Sequence, residues 1–136
     1  MDKKFEITGT TKLTCLLGNP VSHSISPAMH NASFQKLGLD YTYLAFSVDE
    51  THFERAVDGL ITLGAAGWNC TMPLKRLMYE RVDTLSDSAL LSGTVNTVVN
   101  RDGQLFGGNT DGYGFVQSMR DAGFSCEGKH AVLLGS

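Results

Sequence analysis

Long apolar runs are missing from these 136 residues; the longest unbroken ones are about four residues. That is far short of the roughly 20 needed to cross a bilayer, so no membrane span is expected. The opening MDKKFEITGT has two lysines with no apolar stretch behind them, and so does not read as a secretory leader. Positive charge is not in excess either. Eleven Lys and Arg against 14 Asp and Glu leave a net charge of −3, which lacks the electrostatic footprint of a general nucleic-acid binder. Cysteine is scarce and odd in number. Cys15, Cys70 and Cys126 lie too far apart for a metal-ligand spacing or a disulfide framework, which fits a reducing cytoplasm. The four histidines, at 23, 30, 52 and 130, show no ligand spacing, so no metal is expected.

What the chain does have is an ordinary apolar content, 42%, and a low net charge, which together argue against disorder. A chain of this length buries roughly two-thirds of its unfolded surface and needs no staples. Glycine is over-represented, with 15 residues against an average near 7%. These glycines are not periodic; they punctuate apolar segments.

Leu13 to Leu17 predicts a short strand closed by Gly18-Asn19-Pro20. After the polar VSHSISP, Ser26-Pro27 suits the N-cap and first position of a helix that ends at Gly38. Tyr41 to Val48 reads as a second strand. Asp49 then caps a helix whose Phe53, Ala56, Val57, Leu60 and Ile61 share one face, with Gly64 as its stop. Ala66 to Thr71 predicts a third strand, and Leu74 to Val82 a helix with Pro73 at its first position. Ser86 caps a short helix ending near Gly93. Val95–Asn100 and Gln104–Phe106 read as a hairpin around Arg101-Asp102-Gly103. Thr110 or Asp111 caps a further helix stopped at Gly123, and Lys129 to Leu134 reads as a last strand. Strands alternating with helices predict an α/β fold with a mixed, mostly parallel sheet flanked by helices.

Four polar clusters fall at strand ends or helix starts, where α/β sheets place ligands. In His23-Ser24-Ile25-Ser26-Pro27, two hydroxyls and free helix-start amides suit a carboxylate or phosphate, although Ser26 as a plain cap explains the same residues. In Asn69-Cys70-Thr71-Met72-Pro73-Leu74-Lys75, Lys75 is placed near the third helical position. The positive end of the helix dipole disfavours a structural charge there and eases proton transfer, while a lysine bent into water is the bland alternative. In Gly93-Thr94-Val95-Asn96-Thr97, Asn96 interrupts an apolar stretch, to bind ligand hydroxyls or to tie down a loop. In Gly108-Asn109-Thr110-Asp111-Gly112, Asp111 at a helix start is explained equally well as a cap.

Together, GNPVSHSISPAMHNASF, GWNCTMPLK, GTVNTVVN and GGNTDGYG, in this order and at these separations, resemble the shikimate dehydrogenase family with its quinate/shikimate relatives. The likeness runs from about Leu13 to the last residue. It implies a substrate-binding catalytic domain over 1–110, a linking helix over 111–124, and over 125–136 the first strand of an NADP-binding Rossmann domain, broken inside its glycine-rich turn at Gly135. Residue by residue, the resemblance implies that Ser24 and Ser26 hold the substrate carboxylate and that Thr71 and Asn96 hold ring hydroxyls. Lys75 and Asp111 would be the catalytic pair, and Gly135 a cofactor contact. The implied reaction is reversible reduction of 3-dehydroshikimate to shikimate with NADPH, with these 136 residues inactive alone. A quinate/shikimate dehydrogenase using NAD and a non-catalytic stand-alone binding module are the alternatives. The family's far C-terminal helices pack back on the first domain, so weak self-association (a homodimer) or lowered stability is also expected here. Cys70 stands where the family more often has Val, a swap between small buried side chains.

Overall fold

The structure is a computed structural model and describes residues 6–132 and 134. Six strands form one sheet in the order β2-β1-β3-β5-β6-β4. They are β1 (Lys12–Gly18), β2 (Tyr41–Ser47), β3 (Gly67–Cys70), β4 (Thr84–Leu85), β5 (Thr97–Arg101) and β6 (Gln104–Gly108). The helices are α1 (Ser26–Leu37), α2 (Phe53–Thr62), α3 (Lys75–Arg81), α4 (Asp87–Ser92) and α5 (Asp111–Asp121). β1 pairs in parallel with β2 and β3, and β4 in parallel with β6, whereas β5 is antiparallel to both β3 and β6. Among the described strands only β5 is therefore reversed. This is the mixed, mostly parallel sheet that the order of elements predicts.

The two faces of the sheet follow from the period of two along each strand. Cys15 and Leu17 of β1 point with Trp68 and Cys70 into a core closed by Phe53, Val57 and Leu60 of α2, Met78 of α3 and Ala89 of α4. Leu16 points the other way and joins Tyr43, Val21 and Phe34 of α1 in a smaller cluster. The apolar face read for α2 is thus the buried one. Asp49 begins it, accepting from the His52 amide at 3.0 Å, through one short 3₁₀ turn over Glu50–His52. Trp68 Nε1 donates to Met78 Sδ at 3.3 Å, so the indole N–H is satisfied inside the core. Gly67 is required by contact: a Cβ there would strike the carbonyl oxygen of Val98 on β5. The hairpin turns on Asp102 and Gly103, both at positive φ (53° and 90°), as a two-residue primed turn demands.

Three boundaries differ from expectation. Ile25, not Ser26, precedes the first helical residue of α1, because Ile25 already has helical backbone angles; Ser26 is inside the helix. Pro73 is not the first residue of α3. Thr71 to Leu74 form a turn, with Leu74 N–H on Thr71 O at 2.8 Å, and the ladder starts only from the Leu74 carbonyl, making Lys75 the first helical residue. Among the described residues of the expected last strand, Lys129–Val132 and Leu134 are exposed and form no strand, since a strand exists only where a neighbour supplies its hydrogen bonds; Leu133 lies outside the described residues. Gly135 lies outside the described residues. α5 has no buried residue, and Phe115 on it is exposed.

Candidate active site

Because β1, β2, β3 and β6 run in one direction, their carboxyl ends share one edge of the sheet, and the reversal of β5 brings its amino end there too. The chain crosses from β1 to β2 on one side and from β2 to β3 on the other. The loops after β1 and β3 therefore diverge at the switch point, where such sheets open a crevice. The first of these loops carries Ser24 and leads into Ser26, the first residue of α1; the second carries Thr71 and leads into Lys75. The loops touch: Asn19 N–H donates to Met72 O at 3.0 Å and Thr71 N–H to Leu17 O at 2.9 Å. A Cβ on Gly18 would collide with the Thr71 side chain, so glycine lets β3's end close on β1's.

Lys75 Nζ donates to Asp111 Oδ2 at 2.6 Å, joining the start of α3 to the start of α5 across 36 residues. The other carboxylate oxygen, Oδ1, accepts from Asn96 Nδ2 at 2.7 Å. Asn96 is buried and saturated. Its Nδ2 also donates to Thr110 Oγ1 at 3.0 Å, and its Oδ1 accepts from the Thr97 hydroxyl at 2.9 Å and the Thr110 N–H at 3.1 Å. Of its two readings, loop anchor or ligand donor, the first is what the hydrogen bonds display. Thr110 precedes α5 without a side-chain cap bond of its own, and Asp111 is the first helical residue. The Asp111 carboxylate is turned to Lys75 rather than spent as a helix cap.

Ser24 Oγ accepts from the Ser26 N–H at 3.2 Å, so the hydroxyl tending the start of α1 is that of Ser24. Ser24, Ser26 and Thr71 are half-buried at the same edge, but no hydrogen bond joins them to the Lys75–Asp111–Asn96 group among the described residues. Sequence reasoning missed Asn69 and Thr97. Asn69 Nδ2 donates to the Asn96 carbonyl at 3.1 Å and to Thr97 Oγ1 at 3.0 Å, and its Oδ1 accepts from the buried Tyr43 hydroxyl at 2.8 Å. The available signal was a polar residue between Trp68 and Cys70 on a central strand, where an amide must be satisfied. Burial pushes the Cys70 thiol up to about 12, so the cysteine beside Thr71 is a protonated packing residue and no nucleophile at neutral pH. Among the described residues no group of three His, Cys, Asp or Glu could hold a metal, and no helix is long and apolar enough to cross a membrane.

The fold that carries this geometry is shared with known proteins. The model of the shikimate dehydrogenase substrate binding domain matches residues 16–98. The chain belongs to the shikimate dehydrogenase family. The NADP(+) shikimate dehydrogenase of Alkaliphilus metalliredigens is 52% identical over 133 residues, covering 98% of this chain and 46% of that protein. A crystal structure of the shikimate 5-dehydrogenase of Listeria monocytogenes in complex with shikimate and NAD matches with a TM-score of 0.85 and 47% identity, covering 90% of this chain and 43% of that one. The ligand-free 5-ketofructose reductase of a Gluconobacter strain matches at 33% identity and a TM-score of 0.80, covering 84% of this chain and 41% of that one. The chain thus spans about half the length of the relatives it matches.

Proposed function

We infer that this chain is the substrate-binding part of an enzyme that interconverts 3-dehydroshikimate and shikimate with NADP(H). The observation that carries this reading is the Lys75–Asp111 ion pair, locked by Asn96 at the switch-point edge of a substrate-binding-domain fold. Residues 1–110 form the substrate domain in this reading, 111–124 the linking helix and 125–136 the start of the cofactor domain. The described residues do not build a dinucleotide cradle. Gly135 lies outside them, and Lys129–Val132 form no strand.

When bound, the nicotinamide carries the hydride; what this chain supplies is the proton and the orientation. As a ketone carbon gains hydride, negative charge grows on its oxygen. Lys75 Nζ, an ammonium group, stabilises that charge and gives the oxygen a proton. In the reverse direction the alcohol proton returns to Lys75 while hydride leaves the carbon. Asp111 Oδ2 holds Nζ in place, and because Asn96 holds Oδ1, the carboxylate keeps one orientation. Ser24 and Ser26 are assigned the substrate carboxylate, and Thr71 a ring hydroxyl. For Asn96 to bind a second hydroxyl, its Nδ2 must release Thr110 Oγ1, the weaker of its two acceptors.

The test uses the chain joined to the remaining half of the Alkaliphilus relative. Lys75→Met should lower kcat by about 10² to 10⁴ while KM stays within a few-fold, since the interaction strengthens in the transition state. Ser24→Ala should chiefly raise KM. Near-normal kcat in Lys75→Met would end the catalytic reading of this residue. Assays with NADP and NAD, and with shikimate, quinate and 5-ketofructose, separate the NAD-using quinate reading and the reductase relative from the leading one. The 136 residues alone should bind shikimate, with amide shifts at Ser24, Ser26, Thr71 and Asn96, and show no turnover. Binding without turnover in the joined protein would instead favour a ligand-binding module.

A further inference from the structure

Tyr43 sits on β2, two strands away from the Lys75–Asp111 pair, yet it is connected to that pair without a gap. Its hydroxyl meets Asn69 Oδ1; Asn69 Nδ2 meets Thr97 Oγ1; Thr97 Oγ1 meets Asn96 Oδ1; Asn96 Nδ2 meets Asp111 Oδ1; and Asp111 Oδ2 meets Lys75 Nζ, every link between 2.6 and 3.0 Å. The direction of each bond is forced. The Asn96 carbonyl can only accept, so the Asn69 atom facing it is Nδ2, and Oδ1 is left for Tyr43. The Thr110 N–H can only donate, so the Asn96 atom facing it is Oδ1, and Nδ2 is left for Asp111. Thr97 stands between a donor and an acceptor and must accept from the first and donate to the second. Two backbone groups thereby set the polarity of four side chains, and the chain of donors begins at the Tyr43 O–H and ends on the Asp111 carboxylate.

Tyr43 is itself held on all sides. The Asn31 side chain grips its backbone from outside the edge of the sheet, accepting from Tyr43 N–H and donating to Tyr43 O, both at 2.9 Å. The His30 ring stacks on the phenol at 4.2 Å between centroids with planes 9° apart. Burial raises the phenol well above its ordinary range, so it remains a donor, and lowers His30, which favours the neutral ring for stacking.

We propose that Tyr43 is a positioning residue for the Lys75–Asp111 pair, acting through Asn69, Thr97 and Asn96, with α1 as the frame that holds it. The proposal rests on the reading of that pair as the proton-handling site. Its geometry is tested without it, on the 136-residue chain. In the unmodified chain, the side-chain amide protons of Asn69 and Asn96 should exchange with water at least tenfold more slowly than those of exposed Asn19. Equal rates would overturn the proposal before any variant is made. Tyr43→Phe, which removes only the hydroxyl, should shift the side-chain amide signals of both Asn69 and Asn96 and speed their exchange, while the backbone spectrum outside this network stays native. An unchanged Asn96 amide in a folded Tyr43→Phe chain would overturn it as well.

In the protein joined to the relative's remaining half, Tyr43→Phe should lower kcat about tenfold with KM within twofold, the loss expected for one misplaced hydrogen bond. Asn31→Ala should follow it more weakly. Normal kcat in Tyr43→Phe, beside a crippled Lys75→Met, would refute positioning while leaving the site reading intact. A normal Lys75→Met with the amide shifts still present would instead refute the site reading, and Tyr43 would then order a purely structural network, contrary to the proposal.

Discussion

Asn96→Asp preserves the shape of the most constrained side chain in the site and reverses one of its bonds. Where Nδ2 now donates to Asp111 Oδ1 at 2.7 Å, the new carboxylate sets an acceptor against an acceptor. Two unit charges about 4 Å apart repel by about 4 kcal/mol at an effective dielectric of 20. The Asp111 side chain is 54% exposed, and solvent screening takes roughly half of that away. Loss of the donor on the Asp111 carboxylate adds about 1.5 kcal/mol. The Thr110 N–H and Thr97 hydroxyl still donate to the other oxygen at position 96, so the total is set at about 3 kcal/mol and no higher. Such a cost raises the folded-state titration of the new carboxyl by about two pH units above the unfolded value near 3.9. The sign follows: the group is protonated in both states below about pH 4, and the penalty grows as pH rises from there to about 6. Once protonated, the carboxyl also donates to Asp111 in place of the lost amide. Urea unfolding at pH 7 should therefore show a midpoint lowered by roughly 1.5 M, at a slope of about 2 kcal/mol per M, and the gap to the parent chain should close towards pH 4. A deficit independent of pH would show that Asn96 does not hold a charged Asp111, and the account of the site would fail with it.

The Cys15 and Cys70 thiols, each pushed up to about 12 by burial from an ordinary 9.0, make stability alkali-sensitive. Their contribution is complete below pH 9 and is lost as pH rises towards 12, at about 1.4 kcal/mol per pH unit per thiol, because the unfolded chain ionises first. Cys70→Val should visibly flatten the fall in melting temperature between pH 8 and 10, and an unchanged slope would contradict burial as the cause. Gly67→Ala forces a methyl against the Val98 carbonyl and should unpair β3 from β5, at about 3 kcal/mol or more, read from the same denaturation curves. Gly59→Ala on α2 meets open space and should stabilise the chain by about 0.5 to 1 kcal/mol. If the two glycines respond alike, local packing does not govern either position.

Most of the scaffold was legible because its signals are local. The α2 stripe, the left-handed Gly38 and Gly93 that end α1 and α4, and the Asp102-Gly103 turn each declare themselves within a few residues. What was not legible depends on partners distant in sequence. Lys129 to Val132 has strand composition, but a strand is a paired object. The helix starts at Ser26 and Lys75 were each misplaced by a residue or two because Ile25 and the Thr71–Leu74 turn, not the nearest good cap or proline, decide where the ladder begins. Lys75 and Asp111 were nameable from motifs, and their pairing was implied only by resemblance. The line from Tyr43 to Asp111 needs the register of β1, β2, β3 and β5 together, which no window of sequence contains.

The β5–β6 hairpin also decides where this scaffold tolerates growth. Both strands meet the site at one end, Thr97 opposite Gly108, and the turn lies four residue steps away, about 13 Å along the strands. Residues added in matched pairs at Asp102-Gly103 would lengthen the ribbon outward and leave Asn96 and Asp111 where they are. A single residue added to one strand would turn its side chains to the opposite face and pull the site apart. The far tip of the hairpin is therefore the position at which an epitope, a label or a whole inserted domain is carried at least cost to the chemistry.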